Sequence, residues 1–293
     1  MHGFSSKVAL IVALCLGQTG CVTNPITGRS QTLITSDAEA SRESATAYSQ
    51  LLQEARINKS LDTDAQLLAR VEAITRPLIA QAIQLRPETR SWSWDVHVLK
   101  SKEINAWCMA GGKMAVYTGL LQQIQPSNDE LAAVMGHEIA HAVLSHQAEK
   151  VSRAQLQRAG IQAGVLAGAL LGYRLGGMAS LADNIATLGL QLPNSREAES
   201  EADSVGLELA ARAGFNPQAA VTLWQKMQTH STGGTPEWLS THPDTQARIK
   251  AMQIKAGQLM PVYEAARKQQ ATPGQPNVTF RTAMRQSSAG VVP

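Results

Sequence analysis

Cysteine is nearly absent from this 293-residue chain, and its three copies do not make a disulfide framework. Cys15 lies inside an apolar N-terminal run and Cys21 just after it, so Cys108 alone belongs to the body of the chain and has no intramolecular partner. No base accompanies Cys108 in the local sequence, so it reads as a small buried hydrophobe rather than a nucleophile. Aromatic residues are scarce, at 4%, while Ala, Leu and Gln are frequent, which argues for helices over a β-sandwich. The net charge is only +3, with no stripe of Lys and Arg, which argues against nucleic acid as a partner. Long apolar runs are missing too. Val8–Leu16 has nine residues and Ile161–Gly172 twelve, where a spanning helix needs about 20. The length is enough for one well-filled core, and there is no internal repeat.

The N-terminus reads as a targeting signal: Lys7, the apolar run Val8–Leu16, then Gln18-Thr19-Gly20-Cys21. A small residue before Cys at the end of such a run resembles a bacterial lipobox, although Gln18 stands where an aliphatic residue is usual. The resemblance implies a signal over 1–20, lipidation of Cys21, and a polar, turn-rich tether over 21–36. Val22 is not the Asp that retains such lipoproteins in an inner membrane, which favours the outer membrane of a periplasm.

Residues 37–270 then form the expected domain. Ser36 to Ile83 has helical spacing of Leu51, Leu52, Leu67, Leu68, Val71 and Ile74. Ser91–Leu99 alternates Trp92, Trp94, Val96 and Val98 on one strand face. Asn105 to Leu121, with Gly111-Gly112 inside it, predicts a hairpin. Ser127 three residues before Glu130 is a capping box, opening a helix expected to run to about Ala154. Residues 160–192 are rich in Gly, Ala and Leu and read as a lid or hydrophobic hairpin, with a membrane-touching segment as the alternative. Asn194, with Glu197 three residues on, is expected to cap the next helix, which Gly214 ends; another begins near Asn216. Residues 271–293 have the composition of a disordered tail.

Chemistry concentrates in His137-Glu138-Ile139-Ala140-His141. Two His four apart on a helix project about 40° from one another, so both imidazoles reach from one face. That suits two nitrogen ligands of a tetrahedral Zn²⁺. Glu138 beside them is placed as the base that takes a proton from a metal-activated water. A third protein ligand is needed. The longer motif with a third His fails, because position 144 is Leu and 147 is Gln. On a continuous helix His146 falls about 180° from His137, pointing away from the metal, which makes it a surface or second-layer residue. A distant carboxylate remains. Glu199 and Asp203 are four apart on one face; one suits the metal, the other a hydrogen bond from a ligand His. Glu197 and Glu201 lie two residues to either side of Glu199 and project to roughly the opposite face from it. His97 and His230 have no partner in the pattern.

These segments together resemble the M48 metallopeptidases, a gluzincin family with periplasmic lipoprotein members, over roughly residues 22–255. The resemblance rests on the 137–141 motif, on Ser195-Arg196 with Glu199-Ser200-Glu201-Ala202-Asp203, on Asn105-Ala106-Trp107 with the 111–119 segment, and on Ser240-Thr241-His242-Pro243-Asp244 followed by Arg248. It implies an α+β, mainly helical domain with a small sheet whose edge strand precedes the HExxH helix. It implies one Zn²⁺ per chain, held by His137, His141 and Glu199, with Asp203 behind them. It implies that Asn105 and Ala106 bind the substrate backbone as an added strand. The expected activity is zinc-dependent endopeptidase cleavage of unfolded or misassembled envelope proteins, outer-membrane proteins among them. His242 is expected as a second catalytic residue, donating to the oxyanion or latching the metal. The alternative is a periplasmic chaperone or assembly factor with weak or latched proteolysis.

Overall fold

The computed structural model describes residues 21–170, 194–229, 237–242 and 246–271. The expected signal over 1–20, nearly all of the expected tail and the 171–192 part of the expected lid lie outside these residues.

The chain builds a small sheet against a layer of helices. Strands β1 (Cys21–Thr23) and β2 (Ser30–Thr32) form an antiparallel hairpin. Helices α1 (Asp37–Ile57) and α2 (Ala65–Leu85) follow. The single helical stretch expected over 36–83 is therefore two, broken where Lys59 and Asp62 adopt positive φ. Asp64 caps α2 by accepting from the amides of Gln66 and Leu67. Val71, Ile74, Leu78 and Ile79 then line its buried face at helical spacing.

Strands β3 (Asp95–Leu99), β4 (Ala106–Met109) and β5 (Lys113–Tyr117) form the main sheet in the order β3-β5-β4. β5 pairs parallel with β3 and antiparallel with β4. Gly111 and Gly112, at φ +78 and +75, make the β4–β5 turn in a conformation that side chains with a Cβ avoid. β4 is an edge strand that precedes the motif helix, as expected.

Helix α3 (Asn128–Val143) is the centre of the molecule and is buried from Glu130 to Val143. Ser127 and Glu130 close the predicted capping box in both directions. Leu131, Met135 and Ile139 are fully buried, each worth about 1.5–3 kcal/mol of transfer free energy. α3 packs against α2 and β4 and, most extensively, against α5 (Arg196–Arg212). Gly136 and Gly206 meet at that crossing: a Cβ on Gly206 would lie 2.7 Å from the His137 amide nitrogen. α6 (Ala219–Thr229), α7 (Glu237–Thr241) and α8 (Gln246–Ala271) complete the helical layer.

Three expectations are corrected here. The motif helix does not run to Ala154: it ends at Val143, and Ser145 turns at φ +59 before α4 (His146–Leu170) begins. The freed carbonyls are taken by side chains, Leu144 O by Asn24 and Gln31, and Val143 O by Arg86. Residues 21–36, expected as a tether, thus carry a hairpin that seals the end of α3. Polar composition suggested a linker, but Asn24 and Gln31 are buried because they act as capping donors. Ser195 rather than Asn194 caps α5, accepting from the Ala198 amide.

Candidate metal centre and cleft

α3 presents His137, Glu138 and His141, and the crossing at Gly136 and Gly206 brings Glu199 and Asp203 of α5 to the same face. The His137 and His141 Nε2 atoms are 3.0 Å apart. Glu199 lies 3.5 Å from His137 Nε2 and 3.3 Å from His141 Nε2. One donor atom each from His137, His141, Glu199 and His242 falls within a span of 4.8 Å, and all four residues are buried. Neither carboxylate oxygen of Glu199 accepts a well-directed hydrogen bond, although Arg248 Nη1 is 2.8 Å from one of them. The carboxylate and the imidazole nitrogens converge on one point, a donor set of the kind that holds a metal ion. The residues present therefore fit a metal ion.

Asp203 stands behind this set. It receives His137 Nδ1 at 3.1 Å and two 2.8 Å hydrogen bonds from Arg248. A ring that donates through Nδ1 offers Nε2 as a lone pair toward the cluster. Burial opposes charge on His137, but Asp203 and Glu199 outweigh it and raise its pKa to about 10, so Nε2 also competes for a proton that a metal ion would displace. Burial holds His141 well below the ordinary range. Burial alone would raise the pKa of Glu199, yet its two His partners carry it far below the usual carboxylate range.

Glu138 faces a cleft of about 60 Å³ shared with His141, His242, Asn105 and Ala106. One Glu138 oxygen accepts a 2.8 Å hydrogen bond from the Trp238 indole and lies 3.5 Å from His242 Nε2. His242 Nδ1 is 3.0 Å from both Trp238 O and the Thr241 hydroxyl. β4 forms one wall of the cleft as a sheet edge. The structure thus brings together His137, Glu138, His141, Glu199, Asp203, His242, Asn105 and Ala106. Cys108 is buried and its thiol pushed up by burial, as expected of an inert side chain. Cys21 is exposed.

Several residues at the site carried no usable sequence signal. Trp238 holds Glu138 by its indole N–H, and Lys150, lowered to about 8 by burial, also lines the cleft. His146 is not a surface residue. It is buried, with Nδ1 2.9 Å from His141 Nδ1 and Nε2 2.9 Å from Glu201. The projection that turned it away assumed an unbroken helix, and the turn at Ser145 swings it back beneath His141. His97 is paired as well, 2.5 Å from Asp62 and 3.5 Å from Asp95. His230 lies outside the described residues.

Comparison with known proteins agrees with this geometry. Residues 65–256 match Peptidase family M48. The chain is 31% identical over 285 residues to the mitochondrial metalloendopeptidase OMA1 of Bos taurus, covering 89% of this chain and 51% of that protein. It is 30% identical over 252 residues to human OMA1, covering 82% of this chain and 47% of the relative. It is also 30% identical over 209 residues to the beta-barrel assembly-enhancing protease of Escherichia coli, covering 67% of this chain and 43% of the relative. The chain spans about half the length of these relatives. With the two-helix centre in place and the match running across it, the chain belongs to peptidase family M48.

Proposed function

We propose that the chain is a zinc-dependent endopeptidase that cleaves unfolded or misassembled envelope proteins. The observation that carries this reading is the meeting of His137, His141 and Glu199 beside Glu138 in a cleft walled by a strand edge. Their separations of 3.0, 3.3 and 3.5 Å bracket the roughly 3.3–3.4 Å edge of a tetrahedron whose ligands lie about 2.0–2.1 Å from Zn²⁺. Zinc held there would supply a Lewis acid that acidifies water and polarises a peptide carbonyl.

The chain's own groups do the rest. Glu138, fixed on one oxygen by Trp238, takes a proton from the attacking water and delivers it to the leaving amine. Asn105 and Ala106, at the start of the edge strand, offer backbone groups to an extended peptide, which favours unfolded substrate. Asp203 holds the His137 ring, and Arg248 holds Asp203. His242, with Nε2 3.5 Å from Glu138 and one donor atom within the metal-compatible group, serves as an oxyanion donor or as a latching ligand; a latched enzyme is compatible with the chaperone or assembly alternative. The Escherichia coli relative, named for enhancing beta-barrel assembly, supports outer-membrane proteins as substrates. A lipid on the exposed Cys21 would anchor the domain in the periplasm, at the outer membrane.

The test is zinc content and casein cleavage for wild type, Glu138→Gln and Glu199→Ala in parallel. Glu138→Gln is expected to keep zinc and lose about 10²–10⁴ in rate; Glu199→Ala is expected to lose the metal. Wild-type cleavage by Glu138→Gln would remove the assigned base.

A further inference from the structure

The two imidazoles of the motif are supported differently. His137 donates through Nδ1 directly to Asp203, whereas His141 has no carboxylate at that position. Its Nδ1 meets His146 Nδ1 at 2.9 Å, the rings lying 4.9 Å apart and inclined at 70°. His146 Nε2 is 2.9 Å from Glu201 Oε2, and the Arg29 Nε donates to that same oxygen at 2.9 Å. Arg29 also donates twice to Glu149, which accepts from Gln31. The line of contacts runs from the N-terminal hairpin to the inner face of His141.

We propose that His146, held by Glu201 and Arg29, is a positioning residue that fixes the tautomer and pose of the metal ligand His141. This rests on the metal-dependent reading above. The directions follow from donor chemistry. A carboxylate only accepts, so His146 Nε2 carries the proton it shares with Glu201. In a neutral ring Nδ1 is then the acceptor, and it takes the proton of His141 Nδ1. His141 Nε2 is left as a lone pair aimed at Glu199 and His137, which is the form a metal requires. The opposite arrangement would put a proton on the ligand nitrogen. Arg29 compensates the Glu201 charge, so this support adds no net anion beside Glu199 and Asp203. Glu201 can play this part because it lies two residues from Glu199, on the face of α5 that looks toward His146. The segment 24–31 is accordingly a working part of the site.

The isosteric pair His146→Leu and His146→Asn tests this, with zinc affinity read by competition against a chromogenic chelator. Leu removes the acceptor and is expected to weaken zinc binding about 10–100-fold. Asn places an acceptor oxygen where Nδ1 stood and is expected to bind within a few-fold of wild type. Equal affinity for Leu and wild type, or equal loss in Leu and Asn, overturns the proposal. Should the Leu variant fail to fold, as a melt of the zinc-free protein would reveal, wild type decides the matter alone. Long-range ¹H–¹⁵N spectra of the histidine rings are expected to show the His146 proton on Nε2, and a proton on Nδ1 overturns it. Glu199→Ala separates the two readings. Zinc bound by wild type but not by Glu199→Ala, with both His146 variants unaffected, removes only the positioning role. No zinc binding by wild type removes both.

Discussion

Replacing Gly206 by Ala sets two known effects against each other, and the structure decides the sign. Ala is the better helix former, by about 1 kcal/mol in a helix interior. Yet the new Cβ would lie 2.7 Å from the His137 nitrogen, 2.8 Å from its Cα and 2.9 Å from the Gly136 carbonyl carbon. These are backbone atoms of the central helix and cannot rotate away. Ordinary contact begins near 3.4 Å, so the helices must part by about 0.7 Å. Overpacking of this kind costs about 1–3 kcal/mol, so a net loss of up to about 2 kcal/mol is expected. The more telling effect falls on the metal. The crossing sets the distance of Glu199 from the two His, and 0.7 Å exceeds the latitude of about 0.2 Å in metal–ligand distances. A tenfold loss of zinc affinity removes about 1.4 kcal/mol of ligand stabilisation at fixed saturating zinc. For a domain of this size that is about 3–6 °C. Melting curves of wild type and Gly206→Ala, each with and without zinc, measure both terms. The zinc-induced rise in Tm should shrink in the variant. An undiminished rise, above all with a higher Tm in the zinc-free variant, would refute the argument that this contact sets the site.

Arg248→Leu should destabilise the metal-free protein by about 3–5 kcal/mol, because Asp203 and Glu199 lose the guanidinium that bridges them. Urea unfolding should show a smaller deficit once zinc is bound, since the ion supplies the missing charge; the same deficit in both states would contradict this. His97 offers a pH test away from the cleft. Burial opposes its charge, but Asp62 and Asp95 prevail and lift its pKa from 6.5 to about 9. A raised folded-state pKa stabilises fully below 6.5 and loses that contribution as pH climbs through 9. Allowing for solvent screening, about 1–2 kcal/mol should be at stake. Wild type should lose that much more stability than His97→Gln between pH 6 and pH 9.5, and a pH-independent difference between them would count against the pairing.

The five-residue motif, the capping box before it and the Glu199–Asp203 pair were legible because each depends on spacing within a single helix, which sequence reports directly. The α1–α2 break and the break at Ser145 were not. Lys59, Asp62 and Ser145 adopt positive φ although none is Gly, so the turns carry no local signature. What drives the second break is remote: Asn24, Gln31 and Arg86 arrive to satisfy the carbonyls at the end of α3. Donors 57 to 120 residues away cannot be inferred from the helix they cap.

One hidden break changed the role of several residues. With α3 continuous, His146 turns outward, Glu201 belongs to the far side of its helix, and residues 24–31 are polar linker. With α3 ended at Val143, all three converge on His141. The elements whose spacing was readable supply the groups that could touch the metal, with Asp203 as a readable support only because it shares the Glu199 helix face, while those that were not supply further groups that orient them. That division has a physical basis. Ligands must share a helix face at fixed intervals to close around one ion, whereas a supporting hydrogen bond accepts any chain segment that delivers a donor or acceptor to the right point. Sequence should therefore reveal the inner residues of such a centre more readily than their supports.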